Sequence, residues 1–149
     1  MKNGRSQIVI LGGGIGGIAV ATKLGRALGS KHDVIVIDRR DEHIFTPSFL
    51  FLMLGQRKPE DLTRKLKVLE RRKVKFIQAE ILDIDPGRQE VVLDNQRVPY
   101  DHLIVALGMQ TRPDMIPGFS EGANHAWEMD AALKVHQALE NFNEGRIVV

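Results

Sequence analysis

Residues 7–38 read QIVILGGGIGGIAVATKLGRALGSKHDVIVID, and the rest of the chain is organised around them. The apolar run Ile8 to Leu11 predicts a parallel strand buried on both faces. Gly12, Gly13 and Gly14 follow at once, then a stretch of helical character from near Ile15 to about Leu28, with Gly29 as its C-terminal cap. A second apolar run, Val34 to Ile37, ends in Asp38. Strand, tight turn, helix, strand and acid in this order form the dinucleotide-binding pattern. Gly12 lets the chain turn out of the strand, Gly14 lets backbone approach a pyrophosphate, and Gly17 lets the helix pack closely on the strand. The N–H groups of Ile15, Gly16 and Gly17 then face the phosphates at the positive end of the helix dipole. Asp38 lies 21 residues after Gly17, where its carboxylate can accept hydrogen bonds from a ribose diol. The same carboxylate disfavours a 2′-phosphate, so NADP is not expected. Arg39 stands where a guanidinium could stack on an adenine; the plainer reading of Arg39–Glu42 is a solvated charged loop.

Two other readings of this stretch conflict with its residues. A flexible glycine-rich linker conflicts with the dense apolar residues on both sides. A secretory signal peptide is suggested by Lys2, Arg5 and the sequence Ala19-Val20-Ala21. Gly12, Gly13, Gly14, Gly16 and Gly17 would weaken the helix such a peptide forms, and a second strand ending in Asp38 has no place in it.

The length of 149 residues predicts one domain with a sizeable core. A net charge of +2 gives no pointer to nucleic acid. No apolar stretch is long enough for a membrane-spanning helix. The chain contains no cysteine, so these residues offer no disulfide framework, thiolate metal site or dithiol redox pair. A cytoplasmic location is the default expectation.

In residues 43–55, HIFTPSFLFLMLG, Pro47 can start a short helix and the apolar run predicts a buried segment or a wall beside a flat aromatic cofactor. His43 has no metal-type neighbours in sequence and reads as a surface or capping histidine. Between residues 57 and 75, Leu62, Leu66 and Leu69 recur at helical spacing, which predicts one amphipathic helix with its basic residues in solvent. A face touching acidic lipid is the functional alternative there. A third strand is expected over Lys73–Gln78. Three short strands, Glu80–Asp85, Gln89–Leu93 and Arg97–Pro99, separated by Asp85-Pro86-Gly87 and Asp94-Asn95, predict an antiparallel meander. Tyr100 to Gly108 reads as another buried strand with a glycine turn. Asp130 to Phe142 predicts a helix with Ala131, Leu133, Val135, Ala138 and Leu139 on its apolar side. Trp127 is expected to pack. Gly145 to Val149 reads as the first residues of a further strand.

Together these features resemble the flavoproteins with two dinucleotide-binding domains. The glycine pattern extends through Ala21 and Leu24, and the meander with Tyr100-Asp101 and Ala106-Leu107-Gly108 resembles the family's second FAD motif. Leu107 replaces the usual threonine there, so a hydroxyl contact is lost. His43-x-Phe45-Thr46-Pro47 is similar to two branches, the sulfide:quinone oxidoreductases and the type II NADH dehydrogenases, and Ser48 favours the first. The alternation of apolar strands with amphipathic helices predicts a three-layer α/β domain with a parallel sheet and a small antiparallel β-meander, and the resemblance implies that it is a Rossmann-like FAD/NAD(P)-binding domain. The resemblance also implies FAD as cofactor, adenine held near Ile81, the flavin end near Thr46 and Pro47, and Ala106 and Gly108 lining the same cleft.

From that resemblance residues 1–144 are expected to form the FAD-binding domain and residues 145–149 to begin a second dinucleotide-binding domain. The partners implied for the whole protein are a quinone with sulfide or NADH, with peripheral membrane contact and a homodimer as further expectations and no nucleic acid. No catalytic residue and no metal ligand is assigned within these residues. The chain alone is expected to hold FAD weakly or not at all, and not to turn over. A nucleotide-binding module without turnover is the alternative from another functional class.

Overall fold

In the computed structural model, which describes residues 4–148, Gln7–Leu11 forms β1, Ile15–Leu28 forms α1 and Asp33–Asp38 forms β2. β1 and β2 are adjacent and parallel, with Ile8 opposite Val34 and Leu11 opposite Ile37. β3 (Glu42–Ile44) and β4 (Thr63–Lys65) pair with each other. β5 (Val74–Gln78) lies parallel to β2. β6 (Ile81–Asp85), β7 (Glu90–Leu93) and β8 (Arg97–Pro99) form an antiparallel meander. β9 (His102–Val105) returns parallel to β1, giving the sheet order β5-β2-β1-β9.

The chain divides into two compact units, Met1–His43 with Arg64–Gly108, and Ile44–Thr63 with Met109–Val149. In the first unit the sheet is buried on both sides, and alternation along each strand sorts its side chains. Ile8, Ile10, Val34 and Val36 pack with Ala21 of α1 and with Leu66, Leu69 and Val74. Val9, Leu11, Ile35 and Ile37 pack instead with Val91, Leu93, Val98 and Tyr100 of the meander and its exit. Helix, sheet and meander are thus the three layers, as expected from the apolar runs. α1 approaches its neighbours closely at Gly25, where a Cβ would overlap the carbonyl oxygen of Arg72 and lie 2.5 Å from Val74.

Several sequence expectations are corrected. Residues 57–75 are not one helix. A 3-10 turn over Pro59–Leu62 and another over Leu66–Arg72 flank β4. A continuous helix would need the Leu66 N–H on the Leu62 carbonyl. Instead Leu66 donates to the Asp41 carbonyl at 2.8 Å, and the Leu62 carbonyl accepts from the Phe45 N–H at 2.9 Å. All three leucines are buried as the spacing required, but Leu62 joins a different cluster from Leu66 and Leu69. β9 is only half-buried, with Val105 59% exposed, because it is the edge of the sheet rather than an interior strand.

In the second unit Pro47 opens a 3-10 turn, Thr46–Ser48, that leads into α2 (Phe49–Met53). A 3-10 turn at Pro113–Met115, α3 (Phe119–Gly122) and α4 (Met129–Glu140) follow. Phe49, Leu52, Leu62 and Ala132 are its buried core, with Ile44, Ala126, Met129 and Leu133 partly buried around them. The inward face of α4 therefore runs through Met129, Ala132 and Leu133, at i, i+3 and i+4, while Ala138 and Leu139 are exposed. Leu50, Phe51 and Leu54 of the apolar run face solvent, and Trp127, expected to pack, is 71% exposed. Gly145–Val148 carry no strand, and Val149 lies outside the described residues.

Candidate dinucleotide site

The glycine loop is built by crowding on one side and emptiness on the other. Gly12 turns the chain with φ +102, a conformation L side chains rarely adopt, and its N–H donates to the Ile37 carbonyl at 2.8 Å. A Cβ there would overlap the carbonyl oxygen of Ala106. A Cβ on Gly17 would overlap the carbonyl oxygen of Gly12, so α1 starts as close to β1 as backbone allows. A Cβ on Gly14 would meet nothing within 4 Å. The same loop is therefore packed at Gly12 and Gly17 and open at Gly14.

Gly14 is the N-cap of α1, with no side-chain cap and no acidic residue in the first turn. The first intrahelical bond in this turn is Ile18 N–H to the Gly14 carbonyl, 2.9 Å. The N–H groups of Ile15, Gly16 and Gly17 precede it and have no helical acceptor. They present partial positive charge on the open side, and this donor set fits a diphosphate.

Asp38 closes the loop from β2. Its Oδ2 accepts from the Gly13 N–H at 2.6 Å and its Oδ1 from the Arg40 N–H at 2.8 Å. An ionised carboxylate has about four acceptor positions, so two remain for ribose hydroxyls. Arg39 is exposed, and its carbonyl accepts from Gln78 Nε2 at 3.2 Å. Ala79 N–H donates to the Asp38 carbonyl at 3.1 Å, which carries the chain past the end of β2 to Ile81 at the start of β6. Ala106 donates its N–H to the Leu11 carbonyl at 2.8 Å, and Gly108 follows with φ +78 and open space around it. The first unit thus gathers Gly12, Gly14, Ile15, Gly16, Gly17, Asp38 and Ala106 around one loop. Thr46 and Pro47 belong to the second unit and are exposed there.

Three contributors escaped the sequence reading. Gly13 is required because a Cβ would overlap Leu66 Cδ1. Leu66 itself forms the floor under Gly13. His43 reaches the Gly13 carbonyl with Nδ1 at 3.1 Å. Gly13 was visible as the middle of three glycines, but nothing local marks Leu66 or His43 as its partners. A separate concavity of about 430 Å³ is lined by Asp41, Lys65, Lys67, Glu70, Phe76 and Gln78, and not by the glycine loop. Lys65 there bridges Asp41 at 2.8 Å and Glu42 at 3.0 Å, and these hydrogen bonds hold its pKa above the ordinary lysine value. Among the described residues no helix is long and apolar enough to cross a membrane, and no cluster of metal-type side chains occurs.

Comparison with known proteins places this geometry. Residues 6–149 match the model of the pyridine nucleotide-disulphide oxidoreductase family. The chain is 29% identical over 153 residues to the demethylphylloquinone reductase NdbB of Synechocystis, covering 97% of this chain and 38% of that protein. It is 28% identical over 143 residues to a type II NADH:quinone oxidoreductase of Staphylococcus haemolyticus, covering 95% of this chain and 36% of that protein. The X-ray structure of the sulfide:quinone oxidoreductase of Aquifex aeolicus superposes with a TM-score of 0.81 at 30% identity, covering 91% of this chain and 32% of that one. The chain thus spans about a third of the length of these relatives. With its glycine loop, bare helix terminus and β5-β2-β1-β9 sheet, the chain belongs to the pyridine nucleotide-disulphide oxidoreductase family, a family of FAD-binding flavoproteins.

Proposed function

We propose that these residues supply the FAD-binding portion of a flavin-dependent oxidoreductase that passes electrons from sulfide to a quinone. The observation that carries a dinucleotide here is the open face at Gly14 beside the uncapped start of α1, and the family match over residues 6–149 supports FAD as that dinucleotide. When bound, FAD supplies the two-electron chemistry that the protein's side chains lack. The chain's own part is binding and orientation. Gly14 leaves room for the pyrophosphate, and the N–H groups of Ile15, Gly16 and Gly17 donate to its oxygens. Asp38 takes the ribose hydroxyls, with Arg39 and the Ile81 backbone toward the adenine. Ala106 and Gly108 of the first unit serve the flavin end. The likeness to the Aquifex enzyme supports sulfide as donor, and the names of all three relatives have a quinone as acceptor. A cytoplasmic location, with contact at the membrane surface where a quinone resides, follows from this reading.

A second reading, electrons from NADH, is favoured by one observation: none of the 149 residues is a cysteine, so none can supply a thiol to sulfur chemistry. Anaerobic mixing of the full-length, FAD-loaded protein with each donor separates the two. Bleaching of the flavin band by sulfide and not NADH upholds the first reading, and the reverse result upholds the second. A flavin that neither donor bleaches points to a nucleotide-binding module without turnover. A colourless protein that binds NAD in place of FAD overturns the cofactor assignment.

A further inference from the structure

Gly12, Gly13 and Gly14 are consecutive residues without side chains, so their backbone has more intrinsic conformational freedom than that of other residues. Two side chains from elsewhere nevertheless hold two consecutive peptide groups. Asp38 Oδ2 accepts from the Gly13 N–H at 2.6 Å, and His43 Nδ1 lies 3.1 Å from the Gly13 carbonyl oxygen. No peptide among the described residues is cis. In a trans peptide the carbonyl and the following N–H lie in one rigid plane and point in opposite directions. Holding the Gly13 N–H therefore sets the direction of the Gly12 carbonyl, the atom against which Gly17 packs. Holding the Gly13 carbonyl likewise sets the direction of the Gly14 N–H, at the cradle that a Cβ would otherwise fill. Leu66 Cδ1 and Cδ2 press on the remaining side of Gly13.

We propose that His43 is a positioning residue for the dinucleotide phosphates, its Nδ1–H holding the Gly13 carbonyl so that the peptide entering the Gly14 cradle keeps the orientation a diphosphate needs. The proposal rests on the FAD reading of the site and adds a residue to it. A carbonyl oxygen only accepts, so Nδ1 must carry the hydrogen and the neutral ring is the Nδ1–H tautomer.

The geometry makes a discriminating test available. An asparagine amide nitrogen can occupy the place of Nδ1, whereas a glutamine amide reaches toward the place of Nε2. His43→Asn should bind FAD within about twofold of the unaltered chain. His43→Gln and His43→Ala should bind about three- to tenfold more weakly, the loss of one neutral hydrogen bond. Flavin fluorescence titration reads these affinities. Side-chain ¹⁵N spectra of the unaltered chain at pH 8 should show His43 as the Nδ1–H tautomer, and this reading needs no variant to fold. Amide exchange at Gly14 should be faster in His43→Gln than in His43→Asn. An Nε2–H tautomer, or glutamine binding FAD as well as histidine, overturns the proposal. The titrations use the full-length protein, and if that protein binds no FAD the functional reading fails. The tautomer and the Gly14 exchange rates then still decide whether His43 holds the loop.

Discussion

The two units bury their apolar residues in different ways. The first has a four-stranded sheet with a buried cluster on each face, and its largest fully buried side chains include Ile10, Leu11 and Ile37. The second has one cluster of four buried residues, while Phe45, Leu50, Phe51, Leu54, Met115, Ile116 and Trp127 stay exposed. A strand covered on both sides can bury every residue it has, whereas a short helix buries one stripe. The stability of the chain therefore belongs mainly to the sheet unit, and the helical unit should open first.

The sharpest way to break that comparison is to remove matched side chains. Ile10→Ala should cost about 4 kcal/mol and lower the single cooperative transition of the sheet unit in urea. Leu52→Ala should cost about 2 kcal/mol, and its effect should appear as faster amide exchange confined to α2 and α4. Equal losses, or a Leu52→Ala variant that loosens the sheet, would contradict the division.

The next largest effect sharpens the contrast within the loop. Gly17→Ala forces a methyl onto the Gly12 carbonyl and should cost about 3 kcal/mol, seen as a lower urea midpoint. Gly14→Ala meets open space and should leave the midpoint within about 1 kcal/mol, the scale of a changed N-cap. Its FAD affinity should nonetheless fall about tenfold or more as the methyl takes the pyrophosphate's room. An unchanged affinity in Gly14→Ala would remove the pyrophosphate from that face.

Asp38→Ala leaves the buried Gly13 N–H without its charged acceptor. A stability loss of about 2 kcal/mol is expected, together with weaker FAD binding. Calorimetry on the free protein and titration with FAD would separate the two contributions.

The smallest effect concerns the Lys65 bridge. Its hydrogen bonds to Asp41 and Glu42 raise the folded-state pKa above the ordinary value. Stability from this source is fully present below the unfolded pKa of about 10.4 and is lost as pH rises through the folded value. The melting temperatures of Lys65→Met and the unaltered chain should therefore differ slightly at pH 8 and converge toward pH 11. The lysine is largely exposed, so added salt should also narrow the gap. A gap that widens with pH would show the bridge to be irrelevant.

The strand–glycine–helix–strand segment was legible because its requirements are local: apolar runs bounded by glycine, and a carboxylate at the end of the second run. The meander was legible from Pro86-Gly87 and Asp94-Asn95, which punctuate it. The fate of residues 57–75 was not legible, because helical spacing and burial agree for Leu62, Leu66 and Leu69 in either arrangement. What decides it is that the Asp41 carbonyl and the Phe45 N–H, far along the chain, capture the groups a helix would have paired. His43 and Leu66 escaped for the same reason, since their value lies in reaching Gly13 across the fold. Trp127 escaped because composition favours burial of tryptophan while its surroundings in the second unit leave it outside.

α1 touches bare backbone at two places, Gly17 on the Gly12 carbonyl and Gly25 on the Arg72 carbonyl. The two lie eight residues apart, about 12 Å along the axis and within a quarter-turn of the same side. A rod with two flat spots seated on two pegs cannot roll. Turning it by one residue, about 100°, would set Ile18 or Arg26 against oxygen atoms that leave no room for a side chain. The bearing of the helix's leading amides is thus aimed by steric exclusion before any anion arrives, and catching that anion requires no rotation of the helix.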